Sequence, residues 1–303
     1  MERIIRLDYF RLILSLLVIT IHMQPLFGED SLAGWLISNG IARIAVPFFF
    51  ILSGYFISTK LDDRKYTKNY LLHLLIMYIV WSLLYLPTYY QEIEPPRSFI
   101  TSALLGYYHL WFLPALIIAV ILLLIVKRFI NNDRIILYTG FPLFIIGYYL
   151  EYKGLYYRTY CNGLFFGYPF LVLGYCINKR IWIERFKGFR LYLFLIIGLV
   201  FLFLDSYLGY VLNTHKNMII ALYIFCPMLF VLLLKGAKKK IVSGKINPGQ
   251  LATGIYYIHI LVIALAVPLS ETYNIVTYPI VATLSILLSI FVIFVNKRIK
   301  IFL

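Results

Sequence analysis

The segment "RLDYFRLILSLLVITIHMQPLF" carries Asp8, Arg11 and His22 in a run that is otherwise apolar enough to enter a bilayer. Eleven residues separate Arg11 from His22, close to three helical turns, so the two side chains leave a helix in nearly the same direction. Asp8, Ser15 and either Val18 or Ile19 fall on that same stripe. The helical rise sets His22 roughly 16 Å above Arg11. Arg11 then lies near the cytoplasmic surface, and His22 in the outer half of the membrane. An ionisable group so deep is a functional candidate by default. The plainer reading is a neutral histidine hydrogen-bonded to a neighbouring helix, with Arg11 reaching back to headgroups. Spacing alone balances the two readings evenly.

Other polar groups stand where a bilayer disfavours them. Arg43 opens "RIAVPFFFILSGYF", which also contains Ser53 and Gly54; His109 and Trp111 open "HLWFLPAL"; Tyr256 and His259 lie in "GIYYIHI"; and Asp205 ends an apolar run. Histidines on three helices, together with Arg11 and Arg43, point to a shared polar cavity rather than isolated packing accidents. Ser53 weighs differently, because Ser-Gly in a membrane helix more often permits close helix packing than chemistry. The many Tyr and Phe residues are read as interfacial belts and core.

The elements that must hold these groups follow from composition. A hydrophobic fraction of 62%, a charged fraction of 14% and a mean hydropathy of +0.86 exclude an ordinary soluble domain. Ten stretches are free of Lys, Arg, Asp and Glu for most of a ~30 Å hydrocarbon core. They lie near 9–27, 41–59, 69–90, 107–126, 135–150, 161–178, 190–207, 217–234, 251–269 and 273–296, with 135–150 and 190–207 the shortest fits. The expected fold is an all-α, polytopic membrane bundle of about ten transmembrane helices, forming one domain over 1–303.

The net charge of +15 sets orientation rather than binding nucleic acid. With the N-terminus inside, alternate loops hold 22 of the 28 Lys and Arg residues, while the outside loops hold only Arg97, Lys153, Arg158 and Lys216. This asymmetry is the positive-inside pattern and places both termini in the cytoplasm. The first apolar run is too long for a cleaved leader, and Pro25-Leu-Phe-Gly-Glu is no small-residue cleavage site. Cys161, Cys176 and Cys226 are scattered, which indicates neither a disulfide framework nor a metal site.

Five segments together, "LDYFRLILSLLVITIH", "RIAVPFFFILSGYF", "HLWFLPAL", "NGLFFGYPFLVLGY" and "GIYYIHI", resemble the signature segments of the acyltransferase 3 family of integral membrane proteins, in the expected order over about residues 5–296. The resemblance implies transfer of an acetyl or other short acyl group from cytoplasmic acyl-CoA to a hydroxyl of an envelope glycan or lipid-linked sugar, across the inner (cytoplasmic) membrane. It implies His22 as the catalytic base, with Asp8 orienting Arg11 as part of that machinery. Arg11 is implied to hold the phosphates of the donor, aided by Arg43. Ser53, His109, Trp111, Tyr256 and His259 are implied around the acceptor, and no metal or nucleic acid is expected.

One segment departs from the family pattern. Many sugar-acylating members carry an arginine pair three residues apart before the third helix, where this chain reads "DRKYTKNYLLHLLIMYIVW". Tyr70 and His73 best match those positions, or Lys65 and Lys68 with a slip; lysine neutralises phosphate but lacks the planar bidentate fork. This segment is closer to the membrane part of the vancomycin-resistance serine racemases, a part associated with L-serine uptake. The 303 residues contain no racemase segment. A permease for L-serine or a similar small amino acid is therefore the alternative from a different class. A purely structural membrane partner would not need this set of buried polar groups.

Overall fold

The computed structural model describes residues 2–24, 26–28, 30–89, 101, 104–181, 186, 188–237, 239–241, 246–266 and 275–303. Among these residues the regular secondary structure is helical except for one short antiparallel pair, β1 (Glu2–Ile4) with β2 (Lys239–Ile241), in which Arg3 stands opposite Lys240. The helices are α1 (Ile5–His22), α2 (Leu32–Asn39), α3 (Ala45–Ile57), α4 (Arg64–Tyr89), α5 (Phe112–Phe129), α6 (Asp133–Tyr152), α7 (Tyr168–Asn178), α8 (Phe189–Val211), α9 (Ile220–Leu234), α10 (Pro248–Ala266) and α11 (Thr277–Ile299). Seven helical segments among the described residues are long and apolar enough to cross a membrane. Two more, 163–178 and 220–234, are apolar but shorter. The 18-residue α1 carries Arg6, Asp8 and Arg11 in its first two turns. The fold is all-α and polytopic.

Each of the ten expected stretches coincides with a helix, but the lengths redistribute. The two stretches that read as short become helices of 20 and 23 residues, α6 and α8. Polar and charged ends that a hydropathy window rejects are still helical: Asn132 caps α6 by accepting from Arg134 N at 2.9 Å, and α4 begins five residues before its apolar run because Asp63 accepts from Tyr66 N at 3.0 Å. The helix α2, not expected, precedes the 41–59 stretch; Ser31 caps it by accepting from Gly34 N at 3.2 Å. The ends of the stretches near 69–90, 251–269 and 273–296 fall partly outside the described residues, as does Arg97.

The chain divides into two compact units. The first comprises 1–45, 198–216 and 232–303. At its centre α1 runs beside α10, and α11 returns against both: Gly254 of α10 faces Ser289, and Tyr278 Oη donates to the Leu16 carbonyl at 3.2 Å. Small residues on these faces let backbones approach without hydrophobic driving force, which lipid does not supply.

The second unit comprises 46–197 and 217–231. Its core is α7, buried at every residue from Tyr168 to Ile177. A helix apolar all round is a core helix. It enters through a π-helical turn, Gly163–Gly167, whose first amides are accepted by Asn162 Oδ1 at 2.9 and 3.0 Å. At the crossing of α3 and α7, a Cβ on Gly54 would strike the Leu171 carbonyl, and one on Gly174 would strike that of Ile51. Gly54 of "FFILSGYF" is therefore a packing position. Ser53 Oγ donates to the Phe49 carbonyl of its own helix at 2.8 Å.

Contacts between loops within each unit join segments that the alternating topology puts on one side. β1 pairs with β2, and Arg6 donates to the Lys235 carbonyl at 2.8 Å; Lys127 pairs with Asp62 at 2.7 Å. The hydrogen bond from Lys127 lowers the pKa of the exposed Asp62 carboxyl. At the other end, Tyr210 Oη donates to the Asp30 carbonyl at 2.7 Å, and both Glu151 oxygens accept from the Asn217 and Met218 amides at 2.7 and 2.8 Å. Burial, helped by Glu151, pushes the neighbouring Tyr160 hydroxyl up to about 12.

Candidate functional site

The first unit gathers half of the expected site residues along the seam of α1 and α10. Asp8 and Arg11 form an ion pair at 3.6 Å, one helical turn apart. Arg11 Nη2 donates to Thr253 Oγ1 at 3.0 Å, and Thr253 in turn donates to the Gly249 carbonyl at 2.9 Å. Gly249 makes this approach feasible: a Cβ there would run into the Asp8 carboxylate and stand 3.0 Å from Arg11 Nη1. The guanidinium is thus oriented by a carboxylate and a hydroxyl, with 26% of its side chain accessible against 14% for Asp8. An accessible, pre-oriented guanidinium suits an anionic group better than a salt bridge closed on itself does.

Further along the same seam the His22 and His259 rings lie 5.3 Å apart, tilted by 48°. Arg11 and His22 both meet α10, as one stripe of α1 requires. His259 Nδ1 lies 3.0 Å from the Ile255 carbonyl, which can only accept, so Nδ1 carries the proton and Nε2 of a neutral ring is the acceptor. Tyr256 adds a ring 6.3 Å from His259. The seam therefore places a cation near one end of α1 and an imidazole pair at the other.

Beyond His22 a polar network closes the end of the seam. Arg43 Nη2 donates to Asn39 Oδ1 at 2.9 Å, and Asn39 Nδ2 donates to Gln24 Oε1 at 3.1 Å. His215 Nδ1 lies 3.2 Å from the same Asn39 oxygen and stacks on Trp35 with centroids 4.6 Å apart. Burial first, then the charge of Arg43, lowers the pKa of His215. Gln24, Asn39, Thr253, Gly249 and His215 were not singled out from the sequence. As uncharged or loop residues they give no signal until the fold brings them to a charged partner.

The remaining expected residues belong to the second unit. Lys65 and Lys68 are exposed on the first turns of α4, and His73 is half-buried two turns on. His109 is buried in a 3-10 turn, Tyr108–Trp111, with its ring 5.0 Å from that of Tyr85. Trp111 meets Phe166 edge-on at 5.7 Å, and Ser53 is engaged by its own helix. Among the described residues no group of three or more His, Cys, Asp or Glu could hold a metal ion, and the three cysteines are buried and form no disulfide with one another.

The profile of the acyltransferase domain family matches residues 4–295, nearly the whole chain. The protein belongs to that family. Among curated relatives, a serine/alanine racemase of Enterococcus gallinarum is 30% identical over 284 residues, covering 84% of this chain and 40% of the racemase. An amino-acid racemase of Enterococcus faecalis is 26% identical over 304 residues, covering 88% of this chain and 42% of its own. The chain thus spans less than half the length of the curated relatives it matches. No solved structure matches. With this family and seven described helical segments long and apolar enough to cross a membrane, the chain is a multi-pass membrane member of the acyltransferase domain family.

Proposed function

We propose that the protein moves an acetyl or other short acyl group from cytoplasmic acyl-CoA to a hydroxyl of an envelope glycan or lipid-linked sugar in the cytoplasmic membrane. The observation that carries this reading is the α1–α10 seam, with Arg11 held by Asp8 and Thr253 near one end and the His22–His259 pair further along. Arg11 receives a phosphate of the donor, and the pantetheine arm follows the seam toward His22. His22 takes the proton of the acceptor hydroxyl as its oxygen bonds to the acyl carbon. The carbon–sulfur bond then breaks and the departing thiolate takes that proton back. His259, its Nδ1–H fixed on the Ile255 carbonyl, orients the His22 ring rather than touching the reacting atoms. Lys65, Lys68 and His73 stand in the other unit, and the proposal does not depend on them.

The test is transfer of label from radiolabelled acetyl-CoA into the envelope fraction by wild type, His22→Ala and His22→Gln. A general base contributes ~10²–10⁴-fold, so both variants should insert normally, bind acyl-CoA and lose transfer by that factor. A histidine that merely satisfies a hydrogen bond would be replaced by glutamine without loss. Equal incorporation by all three removes the catalytic role.

A second reading is a permease for L-serine or a similar amino acid; the relatives' names, serine/alanine racemase and amino-acid racemase, bring in that ligand class and not transport itself. It predicts labelled serine uptake that depends on His22, with no acyl product from the wild type.

A further inference from the structure

At the end of α1 opposite Arg11, a half-open cavity of about 240 Å³ lies within the first unit, beside the Arg43–Asn39–Gln24 network. We propose that this cavity binds one neutral, hydroxyl-bearing ring, a single sugar residue of the acyl acceptor. The proposal rests on the acyltransferase reading and names a place for the acceptor that none of the expected site residues marked.

Size, charge and rigidity support it. At about 240 Å³ the cavity falls below the ~300–1,000 Å³ of drug-sized sites, so it seats one ring rather than several. The polar lining is Gln24, Ser31, Trp35, Asn213 and His215, and among the described residues none that lines the cavity is Asp, Glu, Lys or Arg. A free amino acid brings a carboxylate and an ammonium, each needing a counter-charge when taken from water. Hydroxyls donate and accept, and so do amides and a neutral imidazole. Asn39 Oδ1 accepts from Arg43, which can only donate, so His215 meets that oxygen through Nδ1–H. A neutral His215 is then left with Nε2 as an acceptor, and its lowered pKa favours that neutral form.

The walls are fixed before any ligand arrives. Trp35 Nε1 donates to the Ser206 carbonyl at 2.9 Å, Tyr210 meets the indole edge-on at 6.0 Å, and His215 stacks upon it. The Ser31 hydroxyl is held at the start of α2 by Gly34 N. Only Met23 separates Gln24 from His22, so the cavity lining begins beside the proposed base in the chain.

The experiment is ligand-observed saturation-transfer NMR on the purified full chain, with methyl α-D-glucopyranoside and N-acetyl-D-glucosamine as probes and L-serine as competitor. Two variants test the walls. Asn213→Gly removes an amide at a positive φ of 48° that glycine also adopts, and His215→Phe keeps the ring stack but loses both ring nitrogens. Sugar binding by wild type that weakens at least tenfold in both variants, and that L-serine does not displace, is the expected result. Absent sugar binding, binding indifferent to both variants, or displacement by L-serine overturns the proposal. Acyl-CoA binding, measured on the same preparations, reports on the donor side. Its presence without sugar binding refutes the cavity alone, and its absence beside variant-sensitive sugar binding refutes the acyl-CoA reading alone.

Discussion

Replacing Arg11 by alanine separates a donor-binding role from a structural one, because the structure predicts different consequences for stability and affinity. The substitution removes the guanidinium 3.6 Å from Asp8 and the 3.0 Å hydrogen bond to Thr253. An exposed pair contributes ~0–1 kcal/mol, and stripping a fully buried charge of its partner costs ~3–5 kcal/mol. With side chains 26% and 14% accessible, Arg11 and Asp8 fall between, so the loss should be about 1–3 kcal/mol. If Arg11 also holds a donor phosphate, acyl-CoA affinity should fall by ~1.5–3 kcal/mol, roughly ten- to a hundredfold. Arg11→Lys should recover only part of this, since lysine lacks the planar fork. Asp8→Asn combined with Arg11→Ala removes the carboxylate charge together with its partner. The double variant should regain most of the thermal stability while acyl-CoA binding stays weak. Both quantities can be read on detergent-purified protein by thermal unfolding and by equilibrium binding of labelled acetyl-CoA. Recovery of wild-type affinity along with stability in the double variant would refute the donor role, because Arg11 would then act only through the fold.

Two further outcomes follow from the packing and the charge pattern. Gly174→Val should abolish assembly of the second unit, since even a Cβ there meets the Ile51 backbone, which cannot swing aside; size-exclusion chromatography would show aggregate, and a monodisperse peak would sink the argument. Reporter fusions after Arg64 and Lys239 should read cytoplasm, and those after Glu94 and Glu271 outside; the opposite result for either pair would overturn the topology drawn from the 22 basic residues of alternate loops.

The sequence by itself determined the class, the number and order of the apolar segments and the stripe joining Asp8, Arg11 and His22. Each of these depends on composition or on helical periodicity, which are local. It also carried the α2 cap, since Ser31 stands three residues before Gly34, but an eight-residue helix is too short to stand out beside long apolar runs. Only the tertiary structure decided which groups share a partner. Arg11 and Thr253 are 242 residues apart, as His22 and His259 are distant in sequence, and no periodicity links one helix to another. The sequence suggested close packing at Gly54, but only the tertiary structure named its partner, the Leu171 backbone, because a glycine's role depends on the backbone that approaches it. It likewise assigned His109 and Trp111 to the second unit, while His22 and His259 belong to the first. The cavity beside Trp35 and His215 was the least legible feature, because its described lining holds no Asp, Glu, Lys or Arg and is drawn from two segments far apart in sequence, 24–35 and 213–215. Neutral hydrogen-bonding groups acquire chemical meaning only when a fold sets them around one space.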